Sequence, residues 1–391
     1  MKSRNVNVLF VLVLGGLMAL APMAQGKDDW VKEFSVDPGQ TIELEMDPGG
    51  SLEVEGWDRD VVRITCTAER YDIEDWQIEV DETRDGLKLN TELKERQDNY
   101  TNLVVELMVP RKFNIKTNSG GGHICITDVE GEFQGRTSGG AIKLKNVSGE
   151  ARLRTGGGYI KIVDSDLDGR ISSGGGGGLV ENVTGNVKAT SGGGVVSYKN
   201  VRDSHGDMRG PGRLSAKGIT KGTVMHSTTG GDINIKEAPE GVLVETGGGN
   251  IDIRDANRFV EAQTGGGEIE IEIVDGRVKA RTGGGDIEVT VLEGLGDNRD
   301  GIDLGSDWGE VTLILPENAS IELDLDLAYT RNSNRDYEID SDFDLDIEKT
   351  RKWESDHGSP RKHIYGTATI NGGSHRVIIH TVNGDIRIKK R

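Results

Sequence analysis

Apolar and polar residues alternate along most of this chain, and between residues 119 and 289 each stretch of alternation begins after a short run of glycines. The recurring phrase is a Ser or Thr, two or three glycines, one variable residue and an Ile-x-Ile-like segment, as in residues 264–271 and 282–289. The last glycines of the phrases are Gly122, Gly140, Gly158, Gly176, Gly194, Gly212, Gly231, Gly249, Gly267 and Gly285. All but one of the steps between them have the same length and the remaining step is one residue longer, and this regularity predicts a stacked repeat.

Each repeat predicts two short strands, because a second apolar pair follows the Ile-x-Ile segment after a turn, as in residues 274–282. With a period of two, Ile269 and Ile271 lie on one face of a strand, and Glu268 and Glu270 lie on the other. One repeat cannot cover its own apolar face, so neighbouring repeats must stack on it. The predicted fold is therefore all-β, as a single-stranded parallel β-solenoid (β-helix) of 18-residue rungs about 4.8 Å apart.

The glycine runs are interpreted as corners, where stacked chains adopt a backbone that a Cβ atom would obstruct. The Ser or Thr before each run is expected to stack into a ladder of hydroxyl groups. A phosphate-binding loop would need a helix and a Lys-Ser/Thr pair after the glycines, and neither follows. A calcium-binding nonapeptide repeat needs Asp two places after the glycine, where this chain carries an inward Ile or Val.

Two repeats depart from the pattern. Gly177 and Gly178 stand where an apolar residue would point inward, which predicts an under-packed repeat, and residues 206–222 lack an Ile-x-Ile strand. The stretch 199–221 also combines six cations with two carboxylates, a composition that suits an anionic glycan or a headgroup phosphate. The alternative is an irregular repeat with solvated charges. The anion-binding candidates are Lys199, Arg202, Arg209, Arg213, Lys217 and Lys221.

The regions on either side of the Gly-rich repeats (residues 119–293) are predicted to close the ends of the stack. Residues 27–118 keep strand alternation at 41–46, 51–56, 61–66 and 103–110, which predicts a small N-terminal β domain. This domain is expected to cap the stack, because an exposed sheet edge can pair with other chains. Residues 294–391 are expected to form acidic C-terminal rungs and a β cap. Within them, residues 329–365 form an excursion, and the repeat phrase returns at 381–388.

Residues 1–26 have the pattern of a secretory signal peptide. Lys2 and Arg4 precede an apolar run at 6–21, and small residues follow at 24 and 26. A membrane anchor is the alternative, and the shortness of the run disfavours it. The prediction is an exported protein without a transmembrane segment in its mature chain, in the periplasm, at the cell surface or outside the cell. The oligomeric state stays open.

One resemblance follows from these motifs. The order of a strand at 30–34, an Asp-Pro-Gly turn, Gly56-Trp57-Asp58, Val109-Pro110 and the Ser/Thr-Gly-Gly-x-Ile-x-Ile repeats resembles the bacterial putative-adhesin family of β-strand-repeat proteins, an exported domain of unknown function. The resemblance covers about residues 30–391. It implies an exported β-solenoid near the cell envelope, and it carries over no catalytic residues and no cofactor.

The charge of the chain is strongly negative and unevenly distributed. The formal net charge is −19 for 391 residues, which disfavours binding to nucleic acid. Between residues 286 and 356 there are 21 acidic and 6 basic residues. In a strand, alternating carboxylates in residues 336–348 would form one row, and Glu322, Asp324 and Asp326 could form another. Such rows predict either a calcium site or a solvated face. The calcium candidates are Asp336, Glu338, Asp340, Asp342, Asp344 and Asp346.

Cys66 and Cys125 are the two cysteines. In an oxidising compartment they could form a disulfide between the N-terminal domain and the first repeat, and the alternative is two free thiols, with Cys125 facing outward.

The sequence contains no pattern that assigns a reaction. The seven histidines lack metal-ligand spacing, no Gly-x-Ser-x-Gly elbow occurs, and carboxylates are too abundant to identify a catalytic pair. The function predicted is therefore non-catalytic, as an adhesin-like binding or structural module at the bacterial cell envelope whose partner is an envelope or surface glycan or protein. An internal envelope scaffold or assembly factor is the alternative, and a polysaccharide-active β-helix enzyme is the third.

Overall fold

The structure is a computed structural model that describes residues 29–68, 72–95, 103–202, 207–210, 212, 214–218, 223–295, 300–333, 335–354 and 359–391. The predicted signal peptide lies outside these residues. Within them the chain forms 32 β-strands and one 3-10 turn at Ile73–Asp75, without an α-helix. The predicted all-β fold is confirmed.

The N-terminal strands include those that the alternation predicted, since β2, β3, β4 and β7 overlap the four predicted segments. The strands are β1 (Asp29–Ser35), β2 (Thr41–Asp47), β3 (Gly50–Trp57), β4 (Val61–Ala68), β5 (Trp76–Thr83), β6 (Gly86–Leu93) and β7 (Leu103–Pro110). The next strand, β8 (Asn114–Ser119), crosses the predicted domain boundary at 118/119. It pairs with β2 on one side and with the first repeat on the other.

Most repeats supply one strand after a glycine run and one before the next. The strands are β9 (Ile124–Thr127), β10 (Glu130–Thr137), β11 (Ile142–Lys145), β12 (Ser148–Thr155), β13 (Ile160–Ser173), β14 (Gly178–Thr184), β15 (Val187–Ser191), β16 (Val196–Arg202), β17 (Asp207–Gly210), β18 (Leu214–Lys217), β19 (Val224–Thr228), β20 (Ile233–Ala238), β21 (Val242–Thr246), β22 (Ile251–Thr264), β23 (Ile269–Thr282) and β24 (Ile287–Gly294). In β13, β22 and β23 a single continuous strand covers both positions.

The C-terminal strands continue the stack and then close it. They are β25 (Asp300–Ser306), β26 (Val311–Leu315), β27 (Ile321–Thr330), β28 (Ile339–Ser341), β29 (Asp346–Lys349), β30 (Arg361–Ile370), β31 (His375–Val382) and β32 (Ile386–Lys390). β25 and β26 pair in parallel with β31 and β32, so the chain returns to the stack after the excursion.

Most strand pairs are parallel and join residues one period apart. Thr137 in β10 lies beside Thr155 in β12, and Ile142 in β11 lies beside Ile160 in β13, in each case one repeat further along the chain. Strands that follow a glycine run pair with one another, and strands that precede a run do the same. We name these two sets the post-glycine face and the pre-glycine face. Their inward apolar side chains form one hydrophobic core.

The sheet is mixed: the pairs within the repeats are parallel, and antiparallel pairs occur in the regions that were predicted to cap the two ends of the stack. At the N-terminal end, β4 pairs antiparallel with β1 and β7, and β5 with β6. At the C-terminal end, β30 pairs antiparallel with β27 and β29. The β5–β6 hairpin shows the reason: its strands are joined by the two residues Arg84 and Asp85, and so short a connection can join only antiparallel strands.

In seven repeats, the hydroxyl group before the glycine run binds the backbone of two repeats. Thr264 Oγ1 donates to the Gly249 carbonyl of the preceding repeat at 2.8 Å and accepts from the Gly267 N–H of its own repeat at 3.2 Å. The same two bonds form at Thr155, Ser173, Ser191, Thr228, Thr246 and Thr282. The hydroxyls thus bond to carbonyls and N–H groups rather than to one another, because a buried corner carbonyl needs a donor.

Only some of the glycines in a run are required by space. A Cβ atom on Gly267 would lie 2.0 Å from the Gly249 carbonyl oxygen, and one on Gly265 would lie 2.2 Å from the Gly247 oxygen. A Cβ on the middle glycine, Gly266, would meet nothing within 4 Å. The first and third glycines of this run are therefore required for the close backbone contact between repeats. The middle glycine is not required for it.

A second corner, which the sequence reasoning missed, carries a ladder of Asn and Asp side chains. Asp164, Asn182 and Asn200 have left-handed backbone angles with φ of 53°, 54° and 50°. Asn182 Nδ2 donates to Asp164 Oδ1 at 2.8 Å, and Asn200 Nδ2 donates to Asn182 Oδ1 at 3.0 Å. Asn and Asp tolerate this conformation better than other residues with a side chain. Their spacing of one repeat period is visible in the sequence and could have predicted the corner.

Beside the irregular repeat, a tyrosine crosses the core and bonds to the backbone of β15. Among the described residues, β15 and β17 pair through Thr190 and Arg209 alone. The fully buried Tyr198 hydroxyl accepts from the Ala189 N–H at 2.8 Å and donates to the Val187 carbonyl at 3.2 Å, so it satisfies backbone groups of β15. Gly178 points inward and pairs with Ile160 on one side and Val196 on the other. A Cβ atom added to Gly178 would lie at ordinary van der Waals distance from both neighbours.

We expect Gly267→Ala to lower the free energy of unfolding by about 1–3 kcal/mol, because the added methyl group would overlap the Gly249 carbonyl. The matched variant Gly266→Ala should change it by no more than about 0.5 kcal/mol. Denaturant midpoints of the two variants would check this expectation. Equal destabilisation by both would contradict the steric explanation of the corner.

Candidate functional site

Four cations stand side by side on the post-glycine face, on four successive strands. Lys199 in β16 pairs in register with Lys217 in β18, Lys217 with Lys236 in β20, and Lys236 with Arg254 in β22. Neighbouring strands in a sheet are about 4.8 Å apart. All four side chains are exposed. We name this row the basic ladder: Lys199, Lys217, Lys236 and Arg254.

Among the residues that the structure describes, carboxylates compensate the basic ladder only at its two ends. Lys199 lies 3.8 Å from Glu181, and Arg254 lies 3.1 Å from Asp252 and 3.7 Å from Glu270. The described part of the chain places no carboxylate within ion-pair distance of Lys217 or Lys236. Like charges directly opposite each other in a sheet are destabilising. The row is therefore a feature that folding alone does not favour.

Hydrogen-bonding side chains form the next row on the same face. Ser197, Ser215 and Asn234 are paired in register and half-buried, two residues before Lys199, Lys217 and Lys236 respectively. Successive outward residues of a strand are two positions apart, so these polar groups lie beside the ammonium groups on the same surface.

The structure brings together part of the anion-binding set that the sequence predicted. Lys199 and Lys217 are neighbours, whereas Arg202 lies at the end of β16 and the backbone of Arg209 belongs to β17 on the other face. Arg213, Lys221 and the Arg209 side chain lie outside the described residues. The sequence reasoning missed Lys236 and Arg254. Both follow Lys217 at the repeat period, Lys236 across the one longer step, and this spacing could have identified them.

A shorter row of cations stands on the pre-glycine face. Arg152 in β12 pairs in register with Arg170 in β13, and Arg170 with Lys188 in β15. They line an open groove of about 680 Å³ together with Glu150 and Asp168. Glu150 lies 2.6 Å from Arg152, so carboxylates of the same groove offset part of this charge. We name Arg152, Arg170 and Lys188 the arginine row.

The calcium candidates do not form one continuous strand. Strand structure covers Ile339–Ser341 and Asp346–Lys349 and is interrupted between them. The acids Asp336, Glu338, Asp340, Asp342, Asp344 and Asp346 are exposed, while Phe343 between them is buried. In the described residues, no three His, Cys, Asp or Glu side chains are grouped so that they could hold a metal ion. Calcium binding stays a prediction from the alternating sequence.

Asp326, in the second predicted row of acids, is held by two histidines. His363 Nδ1 donates to Asp326 Oδ1 at 2.7 Å, and His380 Nδ1 donates to Asp326 Oδ2 at 3.2 Å. Burial acts to raise the pKa of Asp326, but the hydrogen bonds from His380 and His363 outweigh it, and the pKa is lowered overall. His363 also stacks on Tyr365, with ring centroids 5.5 Å apart. No sequence signal pointed to this group, because its members are far apart in the chain and belong to three strands.

The two cysteines are free in this structure, so the disulfide that the sequence allowed is not formed. Cys66 in β4 is buried, and β4 is separated from the β9 strand of Cys125 by β7 and β3. Three strand spacings of about 4.8 Å separate the two strands by about 14 Å, whereas a disulfide needs Cα atoms within about 7 Å. Burial raises the pKa of the Cys66 thiol to about 12.

Comparison with known proteins gives distant structural neighbours. No family model and no curated protein matches the chain. The crystal structure of a putative cell adhesion protein from Clostridium sporogenes is similar at 10% identity, with a TM-score of 0.19, over 93% of this chain and 100% of that chain. That of a putative adhesin from Parabacteroides merdae is similar at 10% identity, with a TM-score of 0.25, over 93% of this chain and 96% of that chain. Likeness at this level does not assign a function.

The described residues contain no helix with the length and hydrophobicity that a membrane span requires.

We expect the native chain to expose one reactive thiol. Cys125 is partly exposed and should be alkylated at pH 8, whereas Cys66, buried and with its pKa raised to about 12, should react only after unfolding. Thiol titration in the presence and absence of denaturant would measure this. In the control Cys125→Ser, no rapidly reacting thiol should remain. A native chain without any reactive thiol, and with two after reduction, would contradict the assignment of free cysteines.

We expect Asp326→Asn to lower the free energy of unfolding at pH 7 by about 1–3 kcal/mol, because hydrogen bonds to a charged carboxylate are lost. The pKa of Asp326 is depressed by folding, so its contribution is complete above the unfolded pKa of about 3.9 and is lost as the pH falls through the folded value. The deficit of the variant should therefore shrink below about pH 4. Denaturant titrations at several pH values would measure it. The control Asp324→Asn removes an exposed ion pair with Arg376 and should have little effect.

Proposed function

We propose that this chain is a non-catalytic, exported β-solenoid that acts as an adhesin-like binding module at the bacterial cell envelope. The solenoid interpretation is supported by the parallel pairs that join residues one repeat period apart and by the single core between the two faces. Export is supported by the signal-like pattern of residues 1–26.

The observation that carries the binding role is the basic ladder. A stack with a fixed period places the same position of successive repeats side by side, so one residue type recurring at that position becomes a continuous chemical strip. Such a strip offers many weak contacts to a long ligand, and their effective concentration along a rigid surface makes the combined binding strong. In the basic ladder this strip is positively charged, although the net charge of the chain is −19.

The experiment that tests the proposal measures binding of purified residues 27–391 to isolated bacterial envelopes and to whole cells, with and without calcium. We expect saturable binding that releases no soluble sugar product. Release of product would indicate a polysaccharide-active enzyme instead. Failure to bind either preparation would contradict the binding role and favour an internal scaffold, and cell fractionation of the full-length chain would test the export step separately.

A further inference from the structure

We propose that the ligand of the basic ladder is a linear anionic polysaccharide that lies along the stacking direction of the repeats. The inference rests on the proposed binding function and specifies its site and its substrate class. It starts from the register of Lys199, Lys217, Lys236 and Arg254, which follow one another on four adjacent strands.

The dimensions of the ladder suit an extended polymer. Its positive charges recur at each strand, about 4.8 Å apart, and three such intervals give it a length of about 14 Å. One sugar unit of an extended polysaccharide is about as long as one strand spacing. A chain with an acidic group on every unit therefore brings its charges to successive cations without bending, and one with an acidic group on every second unit brings them to alternate cations.

The row beside the ladder can recognise neutral parts of a sugar. Ser197 and Ser215 present hydroxyl groups, and Asn234 presents an amide that donates to Asp252 Oδ2 at 3.0 Å. Hydroxyl and amide groups both donate and accept hydrogen bonds, as sugar hydroxyls do. A cation row with a neighbouring polar row therefore matches a polymer that carries acidic groups along one edge and hydroxyls along the other.

Acidic side chains at both ends of the ladder limit the length of the ligand segment that it can hold. Glu181 lies at one end, and Asp252 and Glu270 lie at the other. Glu288 follows Glu270 in register on the next strand, which extends the acidic surface. A flat anionic membrane would be brought against these carboxylates as well as against the cations. A linear polymer can instead bind through a short segment that spans the ladder, while the rest of the polymer leaves the surface, and this avoids much of that repulsion.

The central cations give the site a distinct signature. Lys217 and Lys236 repel each other in the free protein because no described carboxylate neutralises them, and a bound polyanion removes that repulsion. Neutralising the two lysines should therefore weaken binding without weakening the fold. A role in structure alone would have the opposite effect on stability.

The test uses purified residues 27–391 and polygalacturonate, which carries one carboxylate on each sugar, in buffer that contains EDTA. Fully methyl-esterified polygalacturonate is the uncharged control. We expect saturable binding to the acidic polymer alone, and affinity about threefold to tenfold lower in Lys217→Gln/Lys236→Gln. The salt dependence of binding, as the slope of log K against log salt concentration, should be less steep in the double variant, because fewer counterions are released on binding. The melting temperature of the double variant should equal or exceed that of the parent.

The matched control is Arg152→Gln/Arg170→Gln, which neutralises two neighbouring cations of the arginine row on the other face. It should bind polygalacturonate as the parent does. Equal loss in both double variants, equal binding of the esterified polymer, or binding confined to single-stranded DNA or to vesicles containing phosphatidylserine would overturn the inference.

The envelope-binding experiment separates the two proposals. If the parent chain and Lys217→Gln/Lys236→Gln bind envelopes equally well, the ladder is not the binding site and the proposed function stands. If the parent binds neither envelopes nor polygalacturonate, both proposals are wrong.

Discussion

The hydroxyl-to-carbonyl contact at the glycine corner is the interaction on which the rest of the architecture depends. A Thr or Ser side chain links the last glycine of its own run to the last glycine of the preceding repeat, and no Cβ atom separates the two backbones. This contact satisfies buried polar groups at the place where the chain turns sharply. It recurs at Thr155, Ser173, Ser191, Thr228, Thr246, Thr264 and Thr282, and it holds these repeats at the same register as the ones before them.

A constant register has a chemical consequence on the outside of the sheet. Any outward residue type that recurs with the repeat period stands in a straight row, whether or not the row is electrostatically favourable. The acids Asp252, Glu270 and Glu288 form such a row, and the cations of the basic ladder form another. Rows of like charge oppose folding, so the stacking and corner contacts must be strong enough to tolerate them. The outward residues of the repeats can therefore vary in charge while the corner and stacking contacts keep the fold.

The ends of the stack solve a different problem. A parallel array exposes unpaired backbone groups at its first and last strands, and these invite association with other chains. The antiparallel strands around β4 and β30 lie beyond the parallel ones at the two ends. These strands do not follow the repeat spacing, because the last strand of a stack does not have to pair with a further repeat. The Asp326 group with His363 and His380 belongs to this C-terminal closure rather than to the repeats.

The sequence by itself determined the features that repeat. Glycine spacing, alternation and the Ser or Thr before each run predicted the strands, the corners and the parallel order, because each of these is a local requirement that recurs once in every repeat. Only the tertiary structure decided which residues from distant repeats become neighbours. The strands β7 and β3 keep Cys66 apart from Cys125, and Asp326 meets histidines from two other strands. These are non-local contacts, set by strand pairing across the sheet, and no local pattern encodes them.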